Sequence, residues 1–224
     1  MFFDPLYFIF VGPALLISIY ASIKVKSTFN KYSKIGTSSG FTGAQAAQRI
    51  LAASGIRDVQ IEPARGFLSD HYDPSKKVLR LSPEVYGGKS VASMGVAAHE
   101  AGHAMQDAKG YAPMKLRSLV VPMASIGSYL AFPLIFIGLI MNVLGLVKLG
   151  IIFFAGIVIF QIITLPVEFN ASRRALAALS SSGVLMTEEV SGARKVLSAA
   201  AMTYVAAALT AILQLLYFII ISRD

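Results

Sequence analysis

The chain contains no cysteine. Disulfides and thiolate metal sites are thereby excluded, and His, Asp and Glu remain as the side chains able to hold a metal ion. Histidine is scarce as well, with three in 224 residues. Charged residues make up 14% of the chain, and acid is the scarcer sign: 12 Asp and Glu against 20 Lys and Arg, a net charge of +8 at pH 7. No basic patch is interleaved with aromatics in the way that would argue for nucleic acid.

What the chain has in place of charge is long apolar runs. Hydrophobic residues make up 55% of it, too many for a simple soluble domain. Four uncharged windows run from Leu6 to Ile23, Ser118 to Val147, Leu149 to Val167 and Ala199 to Ser222. Each is long enough to cross a hydrocarbon core of roughly 30 Å. The first reads as a retained anchor rather than a cleaved signal. Asp4 stands where a basic leader would begin, and Lys24, Val25 and Lys26 stand where small residues would be cut. The second and third windows should form a hairpin that turns near Asn142 to Gly150.

The basic residues orient these spans. The segment from Lys24 to Arg117 holds 14 Lys/Arg against seven Asp/Glu, and Glu168 to Ser198 adds Arg173, Arg174, Arg194 and Lys195. Only Lys148 and Arg223 fall on the other side. The positive side is the cytoplasmic one, so both termini are expected outside. The net charge then reports topology and contact with anionic lipid.

Against this background one stretch carries chemistry: Val96-Ala97-Ala98-His99-Glu100-Ala101-Gly102-His103-Ala104-Met105-Gln106. As a helix spanning about 90–109, it sets His99 and His103 one turn apart on the same face, where both can reach one cation. Glu100 is rotated by about 100° and cannot easily share that cluster, but it can lean over the cation's open position and take a proton from water. Ser90 is a suitable N-cap and Gly110 a suitable stop. A glycine between the histidines, Gly102, suits the close approach of another backbone or a substrate, or a tight helix contact.

The rest of the polar region reads as a small α+β insertion. Lys26 to Gly40 looks like a surface linker, and Thr42 to Gln45 has the form of a capping box opening a helix that stops at Gly55. Val59 to Glu62 alternates like a strand. Gly66 to Tyr72, the turn Asp73-Pro74-Ser75-Lys76 and Val78 to Leu81 should form a hairpin, and Ser82-Pro83-Glu84 starts a helix. After the third span, Glu168 to Ser180 reads as its helical continuation. Ser181, Ser182 and Gly183 break it, and Thr187 starts a helix that runs on into the fourth span.

Two histidines alone do not hold a catalytic zinc, which takes three protein ligands. The best third is Glu168, because a carboxylate at the membrane end of an apolar helix is costly unless it has a partner. The alternative is a glutamate that reaches the headgroups or pairs with Arg173 or Arg174.

His99-Glu100-Ala101-Gly102-His103, followed by Glu168-Phe169-Asn170-Ala171-Ser172, resembles the integral-membrane gluzincin peptidases, and most of all the bacterial neutral zinc metallopeptidases of the YugP-like family. Asp70-His71-Tyr72-Asp73-Pro74 is similar to that family's pattern ahead of the metal helix. The resemblance implies a zinc endopeptidase with one Zn2+ per chain, held by His99, His103 and Glu168, with Glu100 as general base. The related HtpX-like proteases carry an acidic residue four positions after the third ligand, where this chain has Ser172. Asp107 is then a candidate second support for the histidines. His71 could stabilise the oxyanion, serve as a fourth ligand at rest, or be structural.

The expected fold is membrane α-helical, four transmembrane helices with a small cytoplasmic α+β zincin-like domain. Its parts are helix 1 in 1–25, the α+β region in 26–117, the hairpin of spans in 118–167, cytoplasmic helices in 168–198 and helix 4 in 199–224. The expected setting is the bacterial plasma membrane, with the site facing the cytoplasm. The expected partners are lipids and peptide or membrane-protein substrates, in processing or quality control. Two rivals are a zinc-holding scaffold without proteolysis and an intramembrane, site-2-type protease.

Overall fold

The computed structural model describes residues 5–66 and 69–223. Its elements, in order, are α1 (Pro5–Tyr32), α2 (Gly43–Ala53), β1 (Gln60–Pro63), β2 (His71–Asp73), β3 (Val78–Leu81), α3 (Pro83–Tyr86), α4 (Val91–Ala108), α5 (Ala112–Ile140), α6 (Leu144–Ser181) and α7 (Thr187–Ile221). Among them α1, α5, α6 and α7 are long and apolar enough to cross a membrane. The chain divides into two compact units. One is Met1–Ser22, Ala112–Pro166 and Met202–Asp224; the other is Ile23–Tyr111 and Val167–Ala201.

The first unit is built on apolar helices. Ala131, Ile135, Phe154, Val158, Ala211 and Phe218, from α5, α6 and α7, form a buried cluster. The rings of Phe132, Phe154 and Phe218 meet edge to face at centroid separations of 5.3–5.8 Å. Outward-facing residues such as Leu119, Tyr129 and Ile152 are exposed apolar surface, as lipid contact would require.

The turn between α5 and α6 is tighter than the sequence suggested. Only Met141–Val143 separates the two helices, and Asn142 makes the reversal with φ +54°, a conformation that Asn tolerates. Gly150, expected in the turn, lies inside α6. A β-carbon there would stand 2.8 Å from the carbonyl oxygen of Ala131, so its smallness serves close packing of the helix pair.

The second unit wraps short elements around α4. Residues from Lys26 onward, expected as a linker, continue α1 to Tyr32 because Phe29 and Tyr32, three apart on one face, are both buried. The capping box is present at α2. The Thr42 hydroxyl accepts from the Gln45 amide, and the Gln45 side chain accepts from the Thr42 amide. This helix lays Ala46, Ala47, Ile50 and Leu51 inward and packs on α4.

The three strands are ordered β1-β3-β2, with β1 parallel and β2 antiparallel to β3. The hairpin turn is closed by the Asp73 carboxylate, which accepts from the Ser75 amide and hydroxyl and the Lys76 amide. Phe67 and Leu68 of the expected first hairpin strand lie outside the described residues.

Strand alternation sends Tyr72 inward and leaves its neighbour His71 exposed. At the far end of α6, Ala171, Ala175 and Leu179 are buried at helical spacing, and Gly183, at φ +67°, makes the break before α7.

Candidate metal centre

Ser90 caps α4, its hydroxyl accepting from the Ser93 amide at 3.1 Å. The 18-residue helix buries most of its length. It presents His99 and His103 one turn apart, their rings edge to face with centroids 4.8 Å apart. On α6, Val167 opens the segment that belongs to the same unit, and Glu168 follows it.

One Glu168 carboxylate oxygen lies 3.1 Å from His99 Nε2 and 3.5 Å from His103 Nε2. Two ligands each about 2.0–2.1 Å from one tetrahedral ion stand roughly 3.3 Å apart, and the two distances bracket that value. Among the described residues, His99, His103 and Glu168 are the group of His and acidic side chains whose ligand atoms gather closely enough for a metal, within 4.8 Å of one another.

The outer nitrogens decide which ring nitrogens are free for a ligand role. His103 Nδ1 is 3.0 Å from the Gln106 side-chain oxygen, an acceptor only, so Nδ1 donates there and Nε2 is the nitrogen that faces Glu168 and could serve as a ligand. His99 Nδ1 is 3.1 Å from the Ser172 hydroxyl. The residue that departs from the acidic pattern is therefore itself the support of His99.

Asp107 does not take that part. Its carboxylate accepts from the Tyr72 hydroxyl at 2.8 Å and pairs with Lys77, fastening the hairpin to the end of α4. It stands one turn beyond His103, but these two partners hold its carboxylate on the hairpin and not on the imidazole.

Glu100 is 7% exposed, and burial raises its carboxyl above the usual carboxylate range, against the opposing pull of His103 and His99. For His103, burial disfavours the charged ring, but the hydrogen bond and charge of Glu168 and the charge of Glu100 outweigh it and raise its pKa. Polar atoms of this kind settle in a near-closed site only with partners, and among the described residues no fully buried side-chain nitrogen or oxygen lacks one.

The structure does not bring His71 into the group. Its Nδ1 is 2.8 Å from the Ser69 carbonyl oxygen, and its Nε2 faces the Arg80 guanidinium at 3.5 Å on the exposed side of the sheet. Of the three open roles, the hydrogen-bonded structural one is what this geometry displays. The sequence reading also passed over Gln106 and Asn170. Gln106 follows His103 by three residues, so helical spacing alone places it under that ring.

Comparison with known proteins bears on the same residues. A family described as "Putative neutral zinc metallopeptidase" matches residues 7–223. The curated "Putative membrane protease YugP" of Bacillus subtilis (strain 168) is 50% identical over 216 residues, covering 96% of each chain. No solved structure matches.

Proposed function

This chain belongs to the neutral zinc metallopeptidase family, and from that premise we propose that it is a membrane-embedded zinc endopeptidase of the gluzincin kind, with a zincin-like site at the cytoplasmic surface of the plasma membrane. The observation that carries the reading is the meeting of His99, His103 and Glu168 within 4.8 Å, with Glu100 next to His99 on the same helix. The donor set, two imidazole nitrogens and one carboxylate, suits zinc, one ion per chain.

Zinc held there would polarise the scissile carbonyl and make water a better nucleophile near neutral pH. Glu100 is the general base. Its carboxylate takes the proton of the attacking water and delivers it to the leaving amine. Gln106 holds the His103 ring in the tautomer that leaves Nε2 for a metal, and Ser172 orients the His99 ring through Nδ1.

The substrate class follows from sequence position. Glu168 comes one residue after an uncharged run that begins at Leu149, so peptide bonds reaching the centre belong to membrane proteins or to segments close to the bilayer. Processing or quality control of membrane proteins is the corresponding role.

The test separates hydrolysis from mere zinc retention. Glu100→Gln keeps the shape of the site and removes the base. Purified full-length variant should hold as much zinc as wild type and lose at least about 100-fold in cleavage of a membrane-tethered substrate. Cleavage at the wild-type rate would refute the peptidase reading in favour of a zinc-holding scaffold.

A further inference from the structure

Gln106 is fully buried, and its amide is filled on every side. The oxygen accepts from His103 Nδ1 at 3.0 Å. The nitrogen has two hydrogens and two acceptors for them, the Val167 carbonyl at 2.8 Å and the Asn170 side-chain oxygen at 3.1 Å. Val167 and Asn170 flank Glu168 on α6. The orientation of Asn170 is fixed in turn, because Arg174 Nε donates to the same oxygen at 2.7 Å and would meet an amide nitrogen if the side chain flipped. The Arg174 guanidinium is itself seated over the Tyr111 ring, 5.9 Å from its centroid.

We propose that Gln106 is a positioning residue that sets the register between α4 and α6, so that Glu168 falls onto the two imidazoles. The inference rests on the zinc peptidase reading and adds to it a specific chemical requirement. The side chain under His103 must accept on one side and donate twice on the other. A carboxylate, the usual partner of a metal-bound histidine, meets only the first demand. Placed at position 106 it would turn an acceptor toward two fixed acceptors, and α4 and α6 would part where the ligands meet.

The experiment measures zinc held by full-length protein in detergent, at equilibrium with a competing chelator. Gln106→Glu should weaken retention by about 10–100-fold, the range for loss of such a support. Asn170→Asp keeps the acceptor for Gln106 and Arg174 and should retain zinc as wild type does. Asn170→Leu, at a half-buried position that tolerates change better than 106, removes the acceptor and should again weaken retention. A purely volumetric role for Gln106 predicts that Gln106→Glu holds zinc normally. That result, or full retention by Asn170→Leu, overturns the proposal while leaving the peptidase reading intact. Wild-type protein that holds no zinc would instead bring down the peptidase reading, and the positioning role with it.

Discussion

Gly102 and Ala171 meet backbone to backbone: a β-carbon on Gly102 would stand 2.6 Å from the Ala171 carbonyl oxygen. The glycine between the two histidines is thus the point where α4 and α6 touch with no side chain between them. Ala171 lies three residues past Glu168, so the closeness of this contact decides whether the carboxylate reaches the rings. Gly102→Ala would gain about 1 kcal/mol of helix propensity and cost about 1–3 kcal/mol by overpacking against backbone that has nowhere to go. We expect a lower thermal midpoint and a zinc content well below one per chain. A raised midpoint with full zinc would mean that the contact is not the constraint.

How much of this was legible in the sequence depends on the range of the interaction. Ser90 and the Thr42–Gln45 pair act within one turn of chain, and both caps appear where residue type placed them. The hairpin turn at Asp73 is local in the same sense. The meeting of Glu168 with the two histidines was long-range but legible, because an acidic residue beside an apolar run needs a partner. The role of Ser172 was not: a serine is equally at home on a helix surface, and only its 3.1 Å approach to His99 Nδ1 gives it a function. Gln106 was half legible: its spacing offers the bond to His103, but its two donors point to a backbone carbonyl and a side chain more than sixty residues away. Gly150 misled in the opposite direction, a turn-forming residue used for helix packing.

Glu168→Gln tests the ligand set directly. The amide preserves volume and can still hydrogen-bond His99, but it is a poor zinc ligand. Metal analysis of purified protein should fall from one zinc per chain to near zero, while Glu100→Gln, two residues of similar burial compared, stays near one. Equal zinc in both would place the third ligand elsewhere.

Asp107 is expected to matter for stability and not for metal. The Tyr72 hydroxyl and Lys77 both lean on its carboxylate, and Tyr72 is buried. Removing the acceptor with Asp107→Ala leaves that hydroxyl without its partner, at a cost of about 1–3 kcal/mol. The Lys77 pair, with both partners partly exposed, adds little. Thermal unfolding should shift downward, with zinc content unchanged in the folded protein. Loss of zinc from a variant that remains folded would return Asp107 to the support of the histidines.

The orientation of the spans can be read with the residue type the chain lacks. Without cysteine, a single introduced thiol is the only target for a maleimide. Ile35 and Val143 are both exposed and lie on opposite sides of the apolar runs, the first among Lys24, Lys26, Lys31 and Lys34, the second in the turn between α5 and α6. On the positive-inside rule, the Ile35 side is expected to be the cytoplasmic one. In intact bacterial cells with a single membrane, stripped of wall, a membrane-impermeant maleimide should therefore label Val143→Cys and spare Ile35→Cys, and both should label once the membrane is opened. His99 belongs to the same polar segment as Ile35, between the first two apolar runs, so the reverse pattern would put the metal centre outside the cell and replace cytoplasmic substrates with external ones.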